Sequence, residues 1–324
     1  MTPDLPPDLR QAVDRLMEGR GRKDLSARAQ KISDTYRAGG GSAAVIREAD
    51  DALAYALTRL PATYAACARA FHEAGLKCPE FSPRSLLDAG AGPGGASWAA
   101  LAQWPDLDQI VLLDSNPTFL NLSRDLSAGR SVRLEAAERL TRDLARPRDW
   151  PDADLVMASY ALAELPQDRL AEAVIGLWEA CRGLMIIIEP GSPEGSRRML
   201  SARDTLIQAG ASILAPCPHG MACPVHAPDW CHFVQRLPRS RDHRLAKGGD
   251  APFEDEKFIY LVVGRSDLMS SPPQARILAP AQHSKPGVRL KLCTPEGQLE
   301  MRDIPKRDKS GYRDARRRDW GDSL

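Results

Sequence analysis

Four cysteines in the second half of the chain have a spacing that suggests metal chemistry. Cys217, Cys223 and Cys231 lie close together in a proline-rich segment without helical or strand periodicity. Cys293 ends a predicted strand of the tail, which can fold back onto that segment. Four thiolates can bind a tetrahedral zinc ion or an iron–sulfur cluster. The sequence therefore predicts a metal centre held by these four residues.

The residue types leave the choice between zinc and a cluster open. Zinc sites usually pair two cysteines about two to four residues apart. Five and seven residues separate the successive cysteines here, and a larger cluster tolerates such wider loops. A zinc site with mixed ligands stays possible because three histidines lie in the same segment: His219, His226 and His232. The remaining cysteines are predicted to be small buried hydrophobes: Cys67, Cys78 and Cys181.

A glycine-rich loop is the second candidate site. Residues 88–95 read Asp-Ala-Gly-Ala-Gly-Pro-Gly-Gly and follow a predicted strand. Glycines let the backbone turn sharply and let a ligand approach it closely. Asp114 ends the next predicted strand, where a carboxylate can accept hydrogen bonds from ribose hydroxyls. This pattern suits both a nicotinamide dinucleotide and S-adenosylmethionine.

Three features favour S-adenosylmethionine over the dinucleotide. Asp88 lies two residues before the first glycine, where it can serve the charged amino-acid end of that cofactor. Nothing in the loop is dedicated to a pyrophosphate, and more than eighty residues of largely helical sequence precede it. The predicted cofactor-binding residues are Asp88, Gly90, Gly92, Gly94, Asp114, Ser115, Ser159 and Tyr160.

No catalytic segment for methyl transfer is recognisable. The place after the fourth predicted strand reads Ala-Ser-Tyr-Ala-Leu over residues 158–162. It lacks the Asn-Pro-Pro-Tyr-like segment common in enzymes that methylate exocyclic amines. It also lacks the cysteine nucleophile that methylation of a pyrimidine carbon uses. Tyr160 and Glu164 are candidates to face the pocket, and whether the chain is an enzyme stays open.

The predicted cofactor-binding residues lie in a part of the sequence where predicted strands alternate with predicted helices. The predicted strands are Ser85–Ala89, Gln109–Asp114, Ser131–Glu135, Ala153–Ser159, Leu184–Glu189 and Lys257–Arg265. Helical segments lie between them at Ala96–Gln103, Pro117–Ser127 and Gln167–Cys181. This alternation favours an α/β fold with a parallel sheet covered on both faces. Together with the glycine loop it predicts a class I S-adenosylmethionine-dependent methyltransferase (Rossmann-like) sheet.

We predict three regions along the chain. Residues 1–82 form a helical N-terminal module, with helices at Ala44–Leu60 and Ala62–Ala74 and with Ser42 as a candidate cap. The methyltransferase-like domain takes residues 83–205 and 255–280. The metal-stapled insert of residues 206–254 joins the tail of residues 281–324, whose β extension pairs Gly287–Thr294 with Gln298–Ile304.

Composition limits the class of protein. The chain has 324 residues, 43% of them hydrophobic, which excludes a disordered protein. A net charge of +1 excludes a uniformly basic nucleic-acid binder but allows a local basic patch. The longest apolar run, Leu184–Ile188, is too short to span a membrane, and the charged N-terminus lacks a signal-peptide core. We expect a cytoplasmic protein without a membrane partner, and a monomer.

The assembled motifs resemble one family, the methyltransferase-like assembly proteins of the mitochondrial small ribosomal subunit and their bacterial relatives. The most specific pieces are Pro-Cys-Pro-His at 216–219 and Asp-Trp-Cys-His-Phe at 229–233. The resemblance also includes Leu-Pro-Ala-Thr-Tyr-Ala at 60–65, the glycine loop, Ile-Glu-Pro-Gly at 188–191 and Trp-Gly-Asp at 320–322.

This resemblance implies a function and a cofactor set. It implies S-adenosylmethionine in the glycine loop and a [4Fe–4S] cluster on Cys217, Cys223, Cys231 and Cys293, with zinc as the alternative. It implies a factor that binds the small ribosomal subunit and supports its assembly, with an active rRNA methyltransferase as the alternative.

Basic segments suit ribosomal RNA as a partner, together with small-subunit proteins. Residues 285–324 hold 11 Lys and Arg against 7 Asp and Glu. A second basic run follows the cysteines, with only Asp242 opposing it: Arg236, Arg239, Arg241, Arg244 and Lys247. Such runs contact phosphates and give a salt-dependent affinity.

Overall fold

The computed structural model describes residues 4–268 and 270–324. Residues 1–3 and 269, which belong to the predicted helical module and methyltransferase-like domain, lie outside the described residues. Five helices precede the first strand: α1 (Pro7–Met17), α2 (Arg22–Arg37), α3 (Ser42–Val45), α4 (Ala49–Thr58) and α5 (Leu60–Lys77). Pro61 fits the first turn of α5, where its missing N–H costs no hydrogen bond.

The predicted helix over Ala44–Leu60 is divided in the structure. The short α3 ends at Val45, and α4 begins at Ala49 behind a capping box between Glu48 and Asp51. Ser42 is the first residue of α3 rather than its cap, and its hydroxyl donates a hydrogen bond to Glu164 instead. The capping box of Glu48 and Asp51 therefore determines where α4 begins. Ser42 does not cap a helix because its hydroxyl is bound to the carboxylate of Glu164, which is distant in sequence.

The central sheet contains eight strands in the described chain: β1 (Ser85–Ala89), β2 (Gln109–Asp114), β3 (Glu138–Thr141), β4 (Ala153–Ser159), β5 (Cys181–Pro190), β6 (Ser212–Ala215), β7 (Phe233–Pro238) and β8 (Phe253–Gly264). The helices between them are α6 (Gly95–Gln103), α7 (Pro117–Ser127), α8 (Val132–Glu135), α9 (Leu170–Glu179), α10 (Pro193–Gln208) and α11 (Arg241–Lys247).

The strand order is β3-β2-β1-β4-β5-β8-β6. The first five strands pair in parallel, but β8 runs antiparallel to β5 and β6, so the sheet is mixed rather than all parallel. The first half of β8 also pairs with β7. The sequence analysis did not predict the strand β7. This order, with its one antiparallel strand next to β5, is that of the class I methyltransferase sheet.

The two faces of the sheet carry separate hydrophobic cores. Side chains alternate along a strand, so Leu86 of β1 packs in one core and Leu87 in the other. The first core includes α4, α5 and α6, and the second includes α9 and α10. Strands buried on both faces give continuous apolar sequence, which explains why β1, β4 and β5 were predictable.

The predicted third strand over Ser131–Glu135 is wrong. Ser131 accepts a hydrogen bond from the backbone N–H of Leu134 and thereby caps the short helix α8. The observed strand, β3, follows at Glu138–Thr141 at the edge of the sheet. No residue of β3 is buried, so this strand has no apolar alternation by which it could be recognised.

A second sheet forms in the tail from β9 (Arg276–Ile277), β10 (Gln282–His283), β11 (Gly287–Cys293) and β12 (Leu299–Pro305), followed by α12 (Lys309–Ala315). The predicted hairpin is present, with Cys293 opposite Leu299. This sheet has a small core of its own, including Ile277, Leu290 and Ile304. The three domain boundaries proposed from the sequence stay a prediction.

The lone cysteines behave as predicted: Cys67, Cys78 and Cys181 are buried and free. Among the helices of residues 4–268 and 270–324, none combines the length and the apolar character that a membrane crossing requires.

Candidate cofactor site and cysteine cavity

The glycine loop joins β1 to α6 with three left-handed residues. Gly90, Gly92 and Gly94 have φ values of 73°, 54° and 86°. A Cβ at Gly90 would lie 2.3 Å from the Cβ of Ala161, whereas a Cβ at Gly92 would meet no atom of the described chain within 4 Å. Gly90 is therefore required for packing against the loop after β4, and Gly92 faces open space that a ligand could use.

Asp114 is tied to the glycine loop. One carboxylate oxygen accepts the backbone N–H of Gly92 at 2.7 Å, and the other accepts that of Asn116 at 2.8 Å. Burial raises the pKa of Asp114 to about 6. Each carboxylate oxygen keeps a second lone pair, which can still accept a ribose hydroxyl. Ser115, the next residue, is exposed.

Asp88 lies beneath the loop and is completely buried. Its Oδ2 accepts the hydroxyl of Ser97 at 2.6 Å, while Oδ1 has no hydrogen-bond partner among the described residues. Burial raises its pKa to about 7. This carboxyl group supports α6 from below and can accept one more donor.

The end of β4 orients Tyr160 toward β8. Ser159 is buried. Tyr160 has a φ of 56°, and its backbone N–H donates to the carbonyl oxygen of Ile188 at 2.7 Å. Its phenol donates to Glu256 at 2.9 Å, and the guanidinium carbon of Arg59 lies 5.9 Å from its ring centroid. Burial and the neighbouring Glu256 carboxylate raise the pKa of Tyr160 well above its usual range.

Glu164 holds a segment of the helical module over the site. It accepts the phenol of Tyr36 at 3.0 Å and both the backbone N–H and hydroxyl of Ser42, at 3.0 and 2.7 Å. On the other side, the side-chain amide of Asn116 donates to the carbonyl of Ile46 at 2.9 Å. The segment 42–46 therefore spans the two strand ends that carry Asp114 and Tyr160.

The four predicted metal-ligating cysteines line one cavity. Cys217, Cys223, Cys231 and Cys293 share it with the side chain of His219, whose Nε2 lies 3.3 Å from the sulfur of Cys293. The tail strand thus folds back onto the insert. Within residues 4–268 and 270–324, no three His, Cys, Asp or Glu side chains stand in the arrangement of a bound metal ion.

Burial and mutual proximity both act on these thiols. Burial, and then the negative charge of the other three thiolates, raise the pKa of Cys231 well above its usual range. Burial and the neighbouring thiolates also raise the pKa of Cys293 to about 12. Burial raises the pKa of Cys217, and the guanidinium of Arg203 opposes that shift.

Two buried arginines hold the cysteine segment in place. Arg203 donates to the carbonyl oxygens of His219 and Met221 at 2.9 and 2.7 Å. Arg276 donates to the carbonyl oxygen of Pro216 at 3.1 Å. The sequence analysis missed both arginines because they lie outside the cysteine segment.

The Asp-Trp-Cys-His-Phe motif joins different parts of the chain. Asp229 pairs with Lys291 of β11, and the indole of Trp230 donates to the carbonyl of Gly191 at 3.0 Å. The ring of His232 lies edge-on to that of Trp320, with centroids 4.8 Å apart. Asp229, Trp230 and His232 therefore each contact a different part of the chain.

The basic run after the cysteines is largely neutralised. Arg236 makes a bidentate contact with Asp255 at 2.7 and 2.9 Å. Arg239 and Lys247 both bind Glu254, at 2.8 and 2.5 Å. These acids lie on β8, the strand paired with β7, so the sequence run alone did not reveal them. The run is therefore a weaker phosphate-binding candidate than its composition indicated.

The tail keeps unpaired cations on its surface. On and beside α12, six basic residues are exposed and make no salt bridge with the described part of the chain: Lys306, Arg307, Lys309, Arg313, Arg316 and Arg317. All six lie on α12 or beside it. They form the tail cluster, which is the exposed basic surface that the sequence analysis predicted.

Comparison with known proteins gives relatives in human and fission yeast. The chain is 28% identical over 291 residues to the human mitochondrial ribosome assembly protein METTL17, covering 84% of this chain and 62% of that protein. It is 25% identical over 323 residues to a mitochondrial Rsm22-cox11 tandem protein of Schizosaccharomyces pombe, covering 42% of the latter. The prediction of a cytoplasmic protein is wrong by this comparison, because these relatives are mitochondrial proteins.

Several solved structures with a similar fold are described as methyltransferases. One is the magnesium protoporphyrin IX methyltransferase of Synechocystis with bound S-adenosylmethionine, at 13% identity, a TM-score of 0.42 and coverage of 81% of this chain and 98% of that one.

The family model described as mitochondrial small ribosomal subunit Rsm22 matches residues 49–324. That match includes the glycine loop, the four cysteines of the cavity and the tail cluster. The chain belongs to the Rsm22 family.

Proposed function

We propose that the protein is a small-ribosomal-subunit assembly factor that binds S-adenosylmethionine and an iron–sulfur cluster and contacts ribosomal RNA through its tail cluster. The observation that carries this proposal is that the family match spans the glycine loop, all four cavity cysteines and the exposed basic tail. The chain spans 62% and 42% of the length of the human and fission-yeast relatives.

S-adenosylmethionine fits the glycine loop. The open space beside Gly92 and the spare lone pairs of Asp114 suit the ribose, and the unpaired Oδ1 of Asp88 can accept a donor through the loop. Ser115, Ser159 and Tyr160 border the same strand ends. Bound there, the cofactor supplies an electrophilic methyl group.

A [4Fe–4S] cluster fits the donor set of the cysteine cavity. Four thiols from two separate segments face one space. The buried guanidinium groups of Arg203 and Arg276 border that space and offset the negative charge of ligating thiolates. The cluster would join the insert to the tail and would have a structural role. Zinc in the same position is the alternative.

Anaerobic purification followed by metal and sulfide analysis separates these alternatives. A brown protein with broad visible absorbance, four iron atoms and four sulfides per chain is the expected result. One equivalent of zinc in a colourless protein would refute the cluster.

Co-sedimentation of the full chain with purified small ribosomal subunits tests the assembly role. The expected result is salt-sensitive binding that the triple variant Arg313→Gln, Arg316→Gln, Arg317→Gln weakens. An exposed pair distant from the tail, Arg182 with Asp152, offers the control variant Arg182→Gln. Absence of binding at low salt would overturn the proposal.

An active RNA methyltransferase is the second candidate. It is favoured by a large cavity lined by Tyr160, the neighbour of Ala161, which packs against Gly90 of the glycine loop. Incorporation of radiolabelled methyl groups into precursor subunits, lost in Asp88→Ala, would support catalysis. Binding without incorporation would support the assembly role alone.

A further inference from the structure

A cavity of about 600 Å³ lies over the carboxyl ends of β4 and β5. This edge is where open α/β sheets bind ligands, and the volume is within the usual range for small-molecule sites. The helical module closes the cavity from above through α2 and α4, and α10 and α11 form its other walls. None of the four cavity cysteines lines it.

Three tyrosine rings line this cavity. Tyr36 and Tyr55 have ring centroids 6.3 Å apart, and the guanidinium carbon of Arg59 lies 5.9 Å from the ring centroid of Tyr160. Aromatic side chains are the usual platforms on which nucleic-acid bases stack, since every base has a flat π face. The rings therefore favour a flat aromatic ligand.

The cationic lining is only partly neutralised. Arg198 pairs with Glu189 at 2.6 Å, and Arg239 pairs with Glu254 at 2.8 Å. Arg59 differs, because its only side-chain hydrogen bond within the described chain is a long one of 3.5 Å to Glu256. Its guanidinium group therefore has donors left for a ligand, and a guanidinium fork matches a phosphate.

Arg37 adds a second cation at the rim. It is largely exposed and makes one contact of 3.3 Å with Asp34 on its own helix. The cavity thus combines stacking surfaces inside with two available guanidinium groups, one inside and one at the mouth. A purely apolar ligand would leave the remaining donors of Arg59 unused, and a small carboxylate would leave the rings unused.

We propose that this cavity binds one nucleotide, with the base stacked among Tyr36, Tyr55 and Tyr160 and the phosphate on Arg59. The inference deepens the proposed function, because it names the part of a single-stranded RNA that enters the protein. A single extruded nucleotide is the size of ligand that a cavity of this volume holds. A free nucleotide has the same chemistry and is the other possible source.

Calorimetric titration of the purified full chain with AMP and UMP tests this inference. Both nucleotides should bind, and adenosine without its phosphate should bind more weakly. Arg59→Met should weaken AMP binding by about tenfold or more, and Tyr36→Leu by a similar factor. Lys31→Met, an exposed change on the same helix, is the matched control and should leave binding unchanged.

Two further measurements keep the test decisive. Arg37→Gln alters an exposed residue and should weaken binding even where Arg59→Met fails to fold. A single-stranded oligonucleotide carrying 4-thiouridine should crosslink to peptides of α2 or of the loop after β4 if RNA is the source. Binding of AMP without such a crosslink would indicate a free nucleotide.

Failure of the inference and failure of the proposed function give different results. If neither AMP nor single-stranded RNA binds the folded protein while small subunits still bind, the nucleotide site is refuted alone. If AMP binds but small subunits do not, the assembly role is refuted alone. A loss of AMP binding in Lys31→Met equal to that in Arg59→Met would also overturn the site.

Discussion

Arg276 and Glu73 form a buried ion pair with 2.6 Å between guanidinium nitrogen and carboxylate oxygen. Glu73 lies on α5 of the helical module and Arg276 on β9 of the tail. The same guanidinium group donates to the carbonyls of Pro216 and Gly321, at 3.1 and 2.5 Å. One side chain thus joins the helical module, the cysteine segment and the C-terminus.

Loss of this arginine should therefore be costly. Arg276→Met removes the buried partner of the Glu73 carboxylate and leaves it only the half-buried Arg69, at 3.1 Å. Breaking a buried ion pair in this way costs about 3–5 kcal/mol. We expect urea unfolding to show a decrease of that order in the free energy of unfolding. Arg289→Met removes an exposed pair with Asp303 and should change stability little. Equal losses in the two variants would contradict the role of burial.

Asp88 should make stability depend on pH. Burial raises its pKa to about 7 in the folded protein, so the folded state binds this proton more tightly than the unfolded state does. Its contribution to stability therefore falls as pH rises from about 4 to about 7. Between these pH values, the free energy of unfolding should fall less in Asp88→Asn than in the wild type. Urea unfolding at several pH values measures this difference. Asp106→Asn, on the surface, should keep the wild-type profile.

The cysteine cavity should lose its metal when one ligand is removed. Cys231→Ser should bleach the anaerobically purified protein and make the insert more sensitive to proteolysis, because bound metal contributes directly to folding. Cys181→Ser, in β5 and outside the cavity, is the control and should keep the colour. Full iron content in Cys231→Ser would exclude this residue as a ligand.

Salt dependence should distinguish the tail cluster from the basic run. Each phosphate contact that is lost lowers the slope of log affinity against log salt by about 0.7 to 0.9. The triple tail variant Arg313→Gln, Arg316→Gln, Arg317→Gln should therefore lower the slope for small subunits by about two. Arg236→Gln should leave the slope unchanged, since Asp255 already neutralises that residue. If Arg236→Gln lowers the slope and the triple tail variant does not, RNA binding belongs to the basic run after the cysteines.

The sequence was most informative where the chain itself imposes the geometry. The glycine loop requires three residues at positive φ, and glycine adopts that conformation without strain, so the loop and the acids beside it were recognisable. β1, β4 and β5 were recognisable because burial on both faces demands continuous apolar residues. The cysteine set was recognisable because free thiols are seldom left together in a poorly periodic segment.

What the sequence could not predict depends on pairings between distant residues. Glu254 and Asp255 neutralise the basic run only because β8 lies beside β7. β3 lacks a hydrophobic signal because it is an exposed edge strand. Glu164 holds Ser42 across 122 residues of sequence.

By itself, the sequence determined the residue types at both sites and the alternation of strands and helices. Tertiary structure decided that Cys293 reaches the other three cysteines and that Arg59 retains free donors beside three tyrosine rings. Local sequence patterns reflect the backbone conformation and the degree of burial that each residue type favours. Contacts between distant segments depend on the whole packed chain and leave no periodicity in the sequence.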